Sequence, residues 1–202
     1  MTSKMSYPLA EYAVQHWVGH ARYEGVSENV EEGMRQLFDG SKPHPAIWVW
    51  ICDPIPWMRH KRAERPLRPL GSPLHYAAFC GLRTIVKLLA ISRPQDVHSR
   101  GFDDMSTPLH MALRSGEVDI ARLLFEHGAD ATTQDSDGWT LLHLTVMEGS
   151  VSLTRLLIEH GADVKAQSND GWTPLHSLGS AGGTRGSRRL ARRAWHGHDS
   201  QG

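Results

Sequence analysis

The feature that most constrains this chain is a sequence unit that returns at a fixed spacing of 33 residues. Three copies, STPLH, WTLLH and WTPLH, occupy 106–110, 139–143 and 172–176, and an earlier partial copy, SPLH, occupies 72–75. Self-similarity at a fixed period of roughly 20–50 residues indicates a stack of small structural units. In such a stack each unit buries its apolar face against its neighbours.

Each unit has the sequence of two short helices. Thr107 can accept from the backbone N–H groups of a first helical turn. Pro108 suits the first helical position because it has no N–H to leave unpaired. Gly116 predicts the end of this helix in the left-handed conformation. The following segment, 120–124, has apolar residues at i, i+3 and i+4, which is typical of an amphipathic helix.

The same pattern predicts six helices. They cover 73–79, 83–91, 108–114, 118–127, 141–147 and 151–159. Leu109, Leu142 and Leu175 are expected to point inward. Pro94 is expected to end the second helix of the first unit. Met105 stands where later units have glycine, which weakens the prediction of a tight loop in the second unit.

The spacing, the T-P-L-H sequence and the Gly-Ala-Asp at 128–130 and 161–163 make residues 72–176 resemble the ankyrin-repeat family. The resemblance implies an all-α solenoid of about three full repeats and a partial fourth. It also implies that the histidine of each copy holds loop backbone by hydrogen bonds. Protein partners would then bind a concave face built from loop tips and the ends of the first helices.

The positions that form this face in the family can be located in this sequence one by one. In this sequence the positions are Asp103, Asp104, Ser106, Arg114, Ser115, Ser136, Asp137, Trp139, Met147, Glu148, Asn169, Asp170 and Trp172, with Phe79 and Cys80 in the first unit. Trp139 and Trp172 are expected side by side. They either anchor a partner, as interface tryptophans often do, or pack on the adjoining loop, and the sequence leaves both open.

Composition divides the chain into four segments. Residues 1–59 predict a helical segment outside the repeat, 60–71 a charged, proline-punctuated linker, 72–178 the repeats, and 179–202 a Gly/Arg-rich tail. The tail has five arginines, no acid before Asp199 and no apolar periodicity. We therefore expect it to be disordered.

A second resemblance concerns the N-terminal segment. It rests on Tyr12-Ala13, His16-Trp17, His20-Ala21, Trp48-Val49-Trp50 and Pro94-Gln95-Asp96-Val97. The residues between 12 and 50 resemble the helical region that precedes the ankyrin repeats of fungal NACHT-type multidomain proteins. Pro94-Gln95-Asp96-Val97, where the first repeat would otherwise have Gly-Ala-Asp, also resembles that group. The chain has no G-x-x-x-x-G-K-[ST] phosphate loop. The resemblance therefore implies a fragment or stand-alone relative, or else the C-terminal part of an NTPase whose nucleotide-binding domain is not in this chain.

Charge and cysteine content restrict the class of partner and the cellular compartment that we expect for this protein. Lys+Arg and Asp+Glu are both 22, so the formal net charge is zero and nucleic acid is an unlikely partner. Weak nucleic-acid binding through the arginine tail is the remaining alternative. Two cysteines and no apolar leader favour a cytoplasmic protein, with the nucleus left open. The apolar run 46–52 is too short to cross a membrane.

Catalysis has no candidate residues in this sequence. His16 and His20 have zinc-protease spacing, but Trp17 stands where that motif requires glutamate. The four repeat histidines are spread along the stack and cannot converge on one metal. We predict no enzyme activity, no cofactor, no metal and no small-molecule substrate.

The fourth unit has sequence for one helix at most. We therefore expect the leucines at 153, 156 and 157 to be only partly covered. The isolated chain would then be marginally stable or would self-associate through this end.

Overall fold

The computed structural model describes residues 71–177, in which the chain forms a row of helical pairs. The helices are α1 (Pro73–Phe79), α2 (Arg83–Ser92), α3 (Pro108–Arg114), α4 (Val118–Glu126), α5 (Leu141–Glu148), α6 (Val151–Glu159) and α7 (Pro174–Ser177), with a 3₁₀ helix at Pro94–His98. Within 71–177 the β structure consists of two isolated bridges. The prediction of an all-α solenoid is confirmed. The predicted segments 1–59 and 179–202, and all of the linker except Gly71, lie outside the described residues.

The observed bounds of the first six helices differ from the predicted ones by at most one residue. As predicted, α2 ends just before Pro94, and the chain continues in the short 3₁₀ helix that Pro94 begins. Proline favours this position because its fixed φ suits the first residue of a helical turn.

A threonine–histidine pair begins α3 and α5, which are inner helices, that is, the first helix of a pair. The backbone N–H of His110 donates to Oγ1 of Thr107 at 3.4 Å, and the N–H of Thr107 donates to Nδ1 of His110 at 3.2 Å. Thr140 and His143 repeat both bonds at the same distances. The predicted threonine caps are confirmed for these two units, with histidine completing a capping box.

Between the pairs the chain turns back in tight hairpins. The N–H of Gly101 donates to the carbonyl of Ser106 at 2.8 Å, and Asp135 N–H donates to the Trp139 carbonyl at 3.0 Å. The second unit forms its hairpin although Met105 replaces glycine. Met105 adopts the left-handed conformation, φ 57°, just as Gly138 does at φ 75°.

One apolar cluster runs through all the helical pairs. Leu109 and Leu142 are buried inside it, whereas Leu175, also expected inside, is half-buried. The expectation that the leucines of α6 are partly exposed is wrong. Leu153, Leu156 and Leu157 are 0, 1 and 0 % exposed.

The loop after α6 contributes to this burial. Ala162 and Val164, at 9 and 5 % exposure, fold into the same cluster as the leucines of α6. The third unit thus shares one core with the second, although Ile158 is half-buried where the equivalent Phe125 is buried.

The hairpin geometry generates a prediction. Met105→Gly should stabilise the chain by about 0.5–1 kcal/mol, because it removes a left-handed penalty of roughly 1–2 kcal/mol at some cost in unfolded-chain entropy. Met105 is 45 % exposed, so little burial is lost. Urea titration measures the change.

The matched variant is Gly138→Ala. Its Cβ would lie 2.6 Å from Oδ1 and 2.7 Å from the backbone N of Asn169, so it should destabilise by more than about 1 kcal/mol. A destabilising Met105→Gly would contradict the account of the second hairpin.

Candidate partner-binding face

The hairpins join tip to tip along the stack. The N–H of Ser136 donates to the carbonyl of Asp104 at 2.9 Å, and the N–H of Asn169 donates to the carbonyl of Asp137 at 3.0 Å. The Asn169 side chain also donates to the Ser136 carbonyl at 3.1 Å. We name the hairpin tips 102–106, 135–139 and 168–172, with the inner-helix ends 79–80, 114–115 and 147–148, the hairpin face. It holds all the partner-binding positions predicted from the sequence.

Histidines connect each inner helix to the next hairpin. His75 Nε2 lies 2.9 Å from the Ser106 carbonyl, and His143 Nε2 lies 2.8 Å from the Trp172 carbonyl. The loop-holding role that the resemblance implied is confirmed for these two histidines. His110 departs from it, since its buried Nε2 has no hydrogen-bond partner among residues 71–177.

The capping bonds fix the tautomer of these rings. Nδ1 of His110 accepts from a backbone N–H, as do Nδ1 of His75 and of His143. A neutral imidazole carries its one proton on the other nitrogen. Nε2 is therefore the donor to the hairpin carbonyl, and protonating Nδ1 would break the capping bond.

Burial keeps the histidines neutral. It lowers the pKa of His75 to about 4 despite the carbonyl of Ser106. Burial, reinforced by the charge of Arg114, lowers the pKa of His110 to about 3. The pKa of His143 is lowered for the same reason, burial.

Three of the predicted partner residues bond to one another. Nη1 of Arg114 donates to Oδ2 of Asp104 at 2.6 Å and to Oγ of Ser106 at 2.9 Å. Burial by itself would raise the pKa of Asp104, but Arg114 holds it below its ordinary value. Arg114 is therefore already engaged within the chain.

Asp135 is a member of the network that sequence reasoning did not single out. Its carboxylate accepts from the N–H groups of Asp137 at 3.0 Å and Trp139 at 2.9 Å, and lies 3.9 Å from Nη2 of Arg114. Burial raises the pKa of Asp135. The available signal was its place at the start of the turn sequence Asp-Ser-Asp-Gly.

The predicted partner residues differ in exposure. Asp103, Ser136, Asp137, Glu148, Asn169, Asp170 and Trp172 are exposed, Phe79, Asp104, Arg114, Ser115, Trp139 and Met147 are half-buried, and Cys80 and Ser106 are buried. The outer row of the face therefore consists mainly of acidic and amide side chains beside a tryptophan.

The two equivalent tryptophans have different surroundings. Trp139 is half-buried, and its ring centroid lies 5.3 Å from that of His143 with the planes 54° apart. Trp172 is 43 % exposed. Packing within the chain therefore covers part of the Trp139 side chain, whereas Trp172 presents a large aromatic surface to solvent.

Met105 is a further exposed apolar residue on this face, and it was not among the partner-binding positions predicted from the sequence. Its side chain is 45 % exposed at the tip of the second hairpin. The sequence signal was limited to its place at the position where the later units have glycine.

Residues 71–177 contain no group of three or more His, Cys, Asp or Glu placed to hold a metal ion. Nor does this part of the chain include a helix with the length and apolarity to cross a membrane.

Stacked helix pairs joined by hairpins define a helical-repeat scaffold. The family model for ankyrin repeats matches in three copies, over residues 69–135 and 129–183. The chain belongs to the ankyrin-repeat family.

Similar proteins share this region. The chain is 41% identical over 70 residues to Palmitoyltransferase AKR1 of Lachancea kluyveri, which covers 35% of this chain and 9% of that protein. It is 39% identical over 77 residues to Palmitoyltransferase ZDHHC13 of Homo sapiens, which covers 38% and 12%. It is 25% identical over 135 residues to Azaphilone pigments biosynthesis cluster protein L of Monascus ruber, which covers 61% and 28%.

These matches cover only small parts of the relatives. The matched region spans about a tenth of the length of the palmitoyltransferases, and it is their ankyrin region. Ankyrin repeats are not catalytic. The similarity is therefore confined to the ankyrin repeats and shows no enzymatic domain in this chain.

The buried histidines predict an acid-sensitive fold. In the unfolded chain they bind protons near the ordinary pKa of 6.5, whereas the folded chain keeps His75 and His110 neutral down to about pH 4 and 3. Acid therefore favours the unfolded chain. Lowering the pH from 7 to 5 should cost about 2 kcal/mol of unfolding free energy for each of the two.

Urea titrations at both pH values measure this loss. His110→Gln should reduce the pH dependence, and the matched variant His98→Gln, at an exposed position, should leave it unchanged. Equal stability of the parent chain at pH 7 and pH 5 would contradict the assignment.

Proposed function

We propose that this chain is a protein-interaction module that binds a protein partner through the hairpin face. Ankyrin repeats generally mediate protein–protein interactions. The observation that carries the proposal is the 43 % exposure of Trp172 on a row of exposed polar side chains. Tryptophans in such positions are enriched among residues that dominate binding energy.

The rigidity of the face supports the proposal. Backbone hydrogen bonds tie Ser136 to Asp104 and Asn169 to Asp137, so the tips are ordered before a partner arrives. Binding to ordered backbone loses less conformational entropy, which leaves more of the contact energy as affinity.

A narrower proposal concerns the origin of the module. We propose that it is a fragment or stand-alone relative of a fungal NACHT-type signalling protein, on the strength of the residues between 12 and 21 and between 48 and 50. Reading the DNA upstream of Met1 in frame tests this. A phosphate-loop motif there would make the chain the C-terminal part of an NTPase.

The main proposal predicts a loss of binding in tryptophan variants. A phage-displayed peptide library is selected on the full chain, and the affinity of each selected peptide is then measured by fluorescence anisotropy. The double variant Trp139→Ala/Trp172→Ala should weaken binding at least about tenfold, as loss of an aromatic anchor typically does. Trp172→Ala alone should weaken it while leaving the helical circular-dichroism signal unchanged.

The matched control is Ile91→Ala on α2. Ile91 is 59 % exposed and lies outside the hairpin face, so its loss should leave affinity within about twofold. Selected peptides that bind Trp172→Ala normally and lose affinity to Ile91→Ala would overturn the proposal.

A further inference from the structure

The repeats are acidic although the whole chain is neutral. Residues 71–177 contain thirteen Asp and Glu against eight Lys and Arg. On the hairpin face the imbalance is larger. It carries Asp103, Asp104, Asp135, Asp137, Glu148 and Asp170, with Arg114 as its single basic residue.

The positive charge of Arg114 is already balanced inside the chain. Its guanidinium lies 2.6 Å from Asp104 and 3.9 Å from Asp135. The exposed carboxylates of Asp137, Glu148 and Asp170 have no Lys or Arg within ion-pair distance among the described residues. The outer row of the face is therefore negatively charged at Asp137, Glu148 and Asp170, and of these Glu148 also lies under the influence of the charge of Arg114.

Apolar surface lies among these carboxylates. Trp172 is 43 % and Met105 45 % exposed, and Trp139 is half-buried between their hairpins. A face of carboxylates around aromatic and thioether groups suits a side chain with a cationic head and an apolar stem. Arginine and lysine have this form, and arginine additionally stacks on tryptophan.

We propose that the hairpin face binds a lysine- or arginine-rich segment of its protein partner, an inference that rests on the function proposed above. The segment lies along the row of tips, with its cations on Asp137, Glu148 and Asp170 and at least one arginine against Trp172. Charge complementarity excludes an acidic segment, which the same carboxylates would repel. It disfavours nucleic acid on this face for the same reason.

The test uses a fluorescein-labelled twelve-residue peptide of alternating arginine and serine, with glutamate in place of arginine as the control peptide. Anisotropy is recorded on the full chain at 50 mM salt. The arginine peptide should bind, the glutamate peptide should not, and higher salt should weaken binding. Asp137→Asn/Glu148→Gln/Asp170→Asn should weaken it at least tenfold, and Trp172→Ala at least threefold.

The matched control is Asp119→Asn/Glu126→Gln/Glu159→Gln. It removes the same charge from exposed positions on the outer helices α4 and α6 and should change affinity less than twofold. Equal weakening in both triple variants would mean a response to net charge alone and would overturn the proposal. Retained binding in the face variant would overturn it as well.

The arginines of this chain's own 185–193 segment share the chemistry of the proposed partner. If changing these five arginines to glutamine tightens peptide binding tenfold or more, the chain's own segment is the occupant and the proposal is overturned. If the arginine peptide fails but library peptides still depend on Trp172, the interaction module stands and only its preference for a basic partner falls.

Discussion

The fold depends on buried histidines that, in the first and third units, bond in two directions. Through Nδ1 the ring accepts from the cap of its own helix, and through Nε2 it donates to the hairpin of the next unit, as in His75 to Ser106 and His143 to Trp172. A neutral ring satisfies both bonds and a charged ring cannot. The same side chain therefore caps its own helix and holds the next unit in the stack. The buried Nε2 of His110 lacks this partner, and an unmet buried donor costs about 1–3 kcal/mol.

Two of these histidines help to build the hairpin face. His75 holds the carbonyl of Ser106 in the hairpin 102–106, and His143 holds that of Trp172 in the hairpin 168–172. The tips of the hairpins bond to one another through their backbones and keep exposed side chains. Arg114 then pairs with Asp104 at the centre of the face. Exposed carboxylates and Trp172 lie on the surface of the face, where we propose that a partner binds. The scaffold fixes where side chains project, and their identity in this chain favours a basic ligand.

The sequence alone predicted the features that depend on residues close together in the chain. Helix bounds followed from caps such as Thr107, from Pro94 and from the leucine spacing. It could not predict features set by neighbours in space. The pairing of Arg114 with Asp104, the unequal exposure of Trp139 and Trp172, and the complete burial of Leu156 all depend on how adjacent units pack. Met105 was partly predictable. The sequence shows that it occupies a position where later units have glycine, but only the folded hairpin shows that its side chain projects outward.

Hydrogen exchange of the full chain tests most directly whether the units form one stack. The buried leucines of α4 and α6 belong to a single cluster, so residues 118–126 and 151–159 should open together. The account predicts equal protection of their slowest amides, at the free energy of global unfolding. Exchange more than tenfold faster in 151–159 would show that the third unit opens alone, which would contradict a continuous stack.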